Sequence, residues 1–147
     1  MLYVDDLLMT GNNGSYIASI KKESRKGFEM IGLGYVHYYC VFEVTQHLKS
    51  IFLYQKKYIG DMLNRFGMVD CNPLTIPMEQ NSKLTSIEGK EFRDATKYKK
   101  LVGSLNYLTT TKPEISVDVG ILFNFMKNHC EGHWSTAKIV IKYLKGT

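Results

Sequence analysis

The 147 residues hold little that would cross-link, anchor or disorder a chain. Cys40, Cys71 and Cys130 are odd in number, widely spaced and without a CxxC pair. That argues against a disulfide framework and predicts reduced, mostly buried thiols. No apolar run approaches the roughly 18 residues a membrane span needs, and the N-terminus lacks a basic n-region and a small-residue cleavage site. The sequence therefore predicts a soluble, intracellular protein with no membrane partner. There is no long polar or low-complexity tract, so disorder is not expected. No Ser-His-Asp or Cys-His signature occurs, and Gly32-x-Gly34 is too short for a nucleotide loop.

What is present is apolar and basic. With 44% hydrophobic residues, the chain can bury one ordinary core or two small packed lobes. The net charge of +5 is uneven: residues 1–50 carry five basic and five acidic residues, 51–100 nine against six, and 101–147 five against three. A basic surplus confined to the region after residue 50 is compatible with a phosphate backbone as partner, because each neutralised phosphate releases counterions.

Hydropathy spacing predicts an α+β chain. Residues 2–10 are apolar except for Asp5-Asp6 and run into Gly11-Asn12-Asn13-Gly14, which reads as a tight hairpin and a loop. Ser15 is placed to cap a short helix with Ile17 and Ile20 on one face, Lys21, Lys22, Arg25 and Lys26 on the other, and Gly27 at its end. β-branched and aromatic residues between 28 and 46, then Ile51 to Tyr54, predict two antiparallel strands. Tyr58, Ile59, Met62, Leu63 and Phe66 fall at helical spacing before Gly67. Residues 70–93, with Pro73, Pro77 and Gly89, read as an extended connector. Three helical patterns follow, around Tyr98 to Leu108, Ile115 to Met126 and Trp134 to Leu144.

Asp5 and Asp6 carry the chemistry. Two adjacent carboxylates inside an apolar run are stable only if a turn exposes them or a cation neutralises them, since desolvating an unpaired charge costs several kcal/mol. Surface-turn residues are one reading. The other is a hairpin tip that holds Mg²⁺, a hard ion preferring oxygen ligands, for two-metal nucleotidyl transfer.

Around this pair the chain carries, in order, LYVDDLLMTGNN, HYYCVFEVTQ, IFLYQKKYIGDMLNRFGMVDCNPLTIPME, YKKLVGSLNYLTTTKPEI and HWSTAKIVIKYLKGT. These stretches resemble the reverse transcriptase of copia-type long-terminal-repeat retrotransposons over essentially the whole length. The resemblance implies that Tyr3-Val4-Asp5-Asp6 is the polymerase motif, with Asp5 holding both metals and Asp6 supporting. It implies a residual palm hairpin and a small antiparallel sheet, including the primer grip, in residues 1–54. A thumb-like helix and connector would follow in 55–93, and connection-like helices leading toward an RNase H domain of the parent polyprotein in 94–147. Template and primer, RNA or DNA, would be the partners, with Lys56 and Lys57 as phosphate contacts or simply a solvated helix face.

The family enzyme also needs a third acid on a strand before the hairpin, and nucleotide-binding fingers. Neither is found in these residues, so the expectation is a reverse transcriptase fragment that is inactive alone and binds no Mg²⁺ of its own. A non-catalytic nucleic-acid-binding or protein-interaction module is the alternative. The sequence departs from the family pattern at Gly32 (usually Asp), Cys40-Val41 (Leu-Gly), Lys112 (Arg) and Glu114 (Asp). Val41 stands in the primer-gripping turn, where Gly would permit backbone angles that Val resists. These departures together suggest a decaying element copy.

His129-Cys130-Glu131-Gly132-His133 brings two imidazoles and a thiol together, but with Gly132 expected to interrupt the helix a cap or loop role outweighs zinc. His37 and Cys40 fall on a strand and read as structural. Trp134 and the Tyr-rich strands read as core in preference to base-stacking platforms.

Overall fold

The computed structural model describes residues 2–3, 6–47, 50–77, 90 and 92–147. The fold is α+β, with five α-helices and small antiparallel sheets among the described residues, in two compact units, Met1–Val36 and His37–Thr147.

In the first unit, β1 (Leu2–Tyr3) pairs antiparallel with β2 (Asp6–Leu7), Leu2 facing Leu7 and Tyr3 facing Asp6. Asp6 is thus a strand residue opposite Tyr3, whereas the sequence placed it at a hairpin tip. Asp5 lies outside the described residues. Helix α1 (Gly14–Gly27) is capped by Asn13, whose side-chain oxygen accepts from the Tyr16 N–H at 3.1 Å. Ser15, the expected cap, is already inside the helix and donates its hydroxyl to the same oxygen at 2.7 Å. An Asx side chain in extended backbone reaches the first-turn amides, and Asn13 has that conformation. Residues 28–37 form no strand, contrary to expectation. Ile31, Leu33 and Tyr35 alternate there with Gly32 and Gly34, and Gly34 takes a φ of 82° that breaks an extended run.

The second unit opens with three strands in the order β3 (Tyr38–Tyr39), β4 (Phe42–His47), β5 (Ser50–Tyr54). The apolar stretch read as one strand folds back on itself at Cys40-Val41, with Tyr39 facing Phe42. Cys40, not Val41, takes the left-handed backbone there, with φ 56°. Strain at this turn therefore sits one residue earlier than expected. His37 and Cys40 consequently flank a two-residue strand and do not share a regular one.

Helix α2 (Lys56–Phe66) stops where Gly67 adopts φ 66°. The Gly67 N–H bonds the Asn64 carbonyl at 3.1 Å and the Met68 N–H the Leu63 carbonyl at 2.8 Å, the Schellman pattern. Helices α3 (Ala95–Leu108), α4 (Ser116–Asn124, entered through a 3₁₀ turn at Pro113–Ile115) and α5 (Glu131–Gly146) share one core with α2, and α5 packs against α2, α3 and α4. Leu101, Leu105 and Leu108 recur along one face of α3 and are fully buried, as are Leu122 and Ile141. Each buried aliphatic side chain contributes about 1.5–3 kcal/mol, so the core sits in this helical subdomain. Trp134 belongs to it as expected, with Phe92 stacked 4.8 Å away. Tyr38 and Tyr54, also expected to be core, are exposed.

Residues 70–77 of the connector strap onto α5. Leu74 N–H bonds the Lys142 carbonyl at 3.1 Å, and the Lys145 ammonium bonds the Val69 and Cys71 carbonyls. None of the three cysteines forms a disulfide among the described residues, but only Cys130 is buried; Cys71 is half-buried and Cys40 exposed, so the expectation of mostly buried thiols fails. No helix of the described residues is long and apolar enough to cross a membrane.

Candidate nucleic-acid interface

On α3, Lys99, Gly103 and Tyr107 recur every four residues, with Lys100 and Ser104 on the adjacent row. The helical period places them along one side. Tyr58 and Arg65, two turns apart on α2, face the same space, and together these seven residues line an open groove of about 470 Å³. The Tyr58 and Tyr107 rings lie 5.6 Å apart, and Phe42 of β4 sits 6.0 Å from Tyr107. Arg65, Lys99 and Lys100 are exposed and make no ion pair among the described residues. The groove thus combines uncompensated positive charge with aromatic faces and, at Gly103, with backbone open to close approach.

Lys56 and Lys57 are not groove residues. They stand at the N-terminus of α2, where the Lys57 backbone N–H donates to Glu43 Oε1 at 2.8 Å and the Lys57 ammonium lies 5.5 Å from the Tyr38 ring centroid. Sequence reading missed Arg65, Lys99, Lys100 and Tyr107. The signal was the spacing of YKKLVGSLNY, which puts its apolar residues on one face and Lys, Gly and Tyr on another. The groove itself needs residues of α2 and α3 brought together by the shared core, which no local pattern encodes.

Asp6 is exposed on β2. Among the described residues no three His, Cys, Asp or Glu side chains are placed to hold a metal. The 129–133 cluster is a helix cap. The Cys130 N–H donates to His133 Nδ1 at 3.0 Å, Cys130 Sγ lies 3.2 Å from the same nitrogen, and the His129 ring stacks 4.4 Å from Tyr98. Gly132 falls within the first turn of α5 and does not interrupt it. Burial, and secondarily Cys130 nearby, push the Tyr98 phenol up to about 12, while its hydroxyl donates to the Leu122 carbonyl at 2.8 Å. Burial also raises Asp118.

The reverse transcriptase (RNA-dependent DNA polymerase) family model matches residues 1–80, more than half of the chain. This chain belongs to the copia-type reverse transcriptases. It is 35% identical over its whole length to a Retrovirus-related Pol polyprotein from transposon RE1 of Arabidopsis thaliana, covering 10% of that polyprotein. It is 33% identical, again over its whole length, to the corresponding polyprotein from transposon TNT 1-94 of Nicotiana tabacum, covering 12%. An uncharacterized mitochondrial protein of Arabidopsis thaliana is 35% identical, with all of this chain covering 61% of that protein. The copia-type chain therefore spans about a tenth of the polyproteins it matches. No solved structure matches it. Reverse transcriptases use Mg²⁺ and a nucleic-acid template, so both belong to this chain's family.

Proposed function

We propose that this chain is the part of a copia-type RNA-directed DNA polymerase that holds template and primer, and that it does not polymerise by itself. The observation that carries the proposal is the groove between α2 and α3. Arg65, Lys99 and Lys100 bring three cationic groups to one groove, where they would meet phosphates, and Tyr58 and Tyr107 offer flat apolar faces to sugars or bases. In this reading residues 1–54 are palm with the primer grip, 55–93 thumb and connector, and 94–147 connection helices. The RNase H domain of the parent polyprotein is the covalent neighbour.

Asp5 and Asp6 would hold Mg²⁺ only together with a third acid contributed from outside these residues. Mg²⁺ supplies, when bound, the charge that activates the attacking primer oxygen and stabilises the leaving pyrophosphate. The protein's own share is to hold the duplex firmly, because misplacement of the primer end by about 1 Å can cost about a hundredfold in rate.

Primer extension on an RNA template with Mg²⁺ and nucleotides tests the proposal, using the purified chain with and without a supplied copia-type N-terminal half. Extension only with the added half, and abolished by Asp5→Ala, is the expected outcome. Extension by the chain alone would refute its dependence on a third acid. Absence of extension in a folded, assembled pair would show that the family relationship records descent and not activity.

A further inference from the structure

Helix α2 begins one residue after β5 ends, with Gln55 as the single residue between them. Gln55 stands at the N-cap but does not cap. It is buried, and its side-chain oxygen instead accepts from the Thr111 hydroxyl at 2.6 Å, beyond the end of α3. The first-turn amide of α2 is satisfied from another element: Glu43, on β4, accepts from the Lys57 N–H at 2.8 Å. In the strand register Glu43 faces Tyr54, so its backbone belongs to the sheet while its carboxylate belongs to the helix. Its sequence neighbour Phe42 reaches Tyr107 at 6.0 Å, and Tyr107 and Tyr58 line the groove.

We infer that Glu43 is a positioning residue, a remote cap that fixes the β3–β4 hairpin against the groove and thereby sets how the hairpin and groove present one surface to a duplex. A carboxylate at a helix N-terminus gains from the unpaired amides and the helix dipole. The side chain comes from the hairpin, so this gain is a force between hairpin and helix. The role as it bears on nucleic acid rests on the reading of the groove given above. Glu43 is also an anion beside Lys57 and near a basic surface. Electrostatics alone therefore requires that its removal tighten nucleic-acid binding, whereas positioning requires the opposite. Opposite signs separate the two.

Two readouts test the inference. The first is the distance between spin labels on Cys40, at the exposed hairpin turn, and on Asn106→Cys on α3, with Cys71 and Cys130 replaced by Ser. A single narrow distribution is expected with Glu43 and with Glu43→Gln, whose amide oxygen still accepts from Lys57, and a broadened one with Glu43→Ala. The second is fluorescence anisotropy with an RNA–DNA hybrid. Glu43→Ala is expected to bind about fivefold more weakly despite losing a negative charge, as loss of one cap would allow, with Glu43→Gln restoring the affinity. An unchanged distance distribution in folded Glu43→Ala protein, or tighter binding by it, overturns the inference. If the unsubstituted chain binds no hybrid, the groove reading fails, and the spin-label distances alone decide the role of Glu43.

Discussion

Tyr98 shows how much one side chain does in a core this small. Its ring is fully buried, it stacks on His129, and its hydroxyl donates to the Leu122 carbonyl, joining α3 to α4. Tyr98→Phe removes that buried hydrogen bond, leaving the carbonyl the Phe125 N–H at 3.1 Å, and is expected to cost about 1 kcal/mol at pH 8, measured by urea unfolding. The alkaline limb carries a further signature. The unfolded phenol gives up its proton near its ordinary value of about 10, while the folded one keeps it up to about 12. Between those values the unfolded state binds fewer protons, so the contribution of Tyr98 is fully present below pH 10 and disappears as pH rises toward 12. The stability difference between the parent chain and Tyr98→Phe should therefore shrink across that window. A constant difference would mean that the phenol is not held protonated by burial.

At the level of elements, α2 offers the sharpest test because its end is set by one backbone angle. Gly67→Ala puts a Cβ where φ is 66° and is expected to cost about 1 kcal/mol, read as a drop in thermal midpoint with loss of amide protection at Met68. This stop was legible from the sequence, as were α3 and α5, because a buried stripe at helical period is a local signal and tertiary packing agrees with it. The strands were less legible. The run from 28 to 46 is rich in β-branched and aromatic residues throughout, yet only Tyr38 onward pairs, since Gly34 turns the backbone with φ 82° and β3 is confined to the two residues before the turn at Cys40-Val41. The capping residues were also misplaced or unseen. Asn13 took the role read for Ser15, and Glu43 caps a helix fourteen residues away, which spacing rules do not reach. Lys56 and Lys57 stood out in the sequence as adjacent cations between tyrosines. The groove instead draws on Arg65, Lys99 and Lys100, which come to one groove only once the helices share a core.

On the scale of the whole molecule, the basic surplus after residue 50 and the family relationship converge on nucleic acid. A diffuse positive charge would bind duplexes weakly through many lysines, whereas a built groove concentrates the effect in few. Anisotropy of a labelled RNA–DNA hybrid across a salt series distinguishes them, comparing the parent chain with a variant in which Arg65, Lys99 and Lys100 are all Gln. These residues are exposed and unpaired among the described residues, so the fold should be retained by circular dichroism. The expected result is an affinity at least about tenfold lower and a salt slope shallower by about 2 to 3, since each phosphate contact contributes close to 0.9. Equal affinity and an equal slope in the folded variant would contradict the assignment of template and primer to this groove.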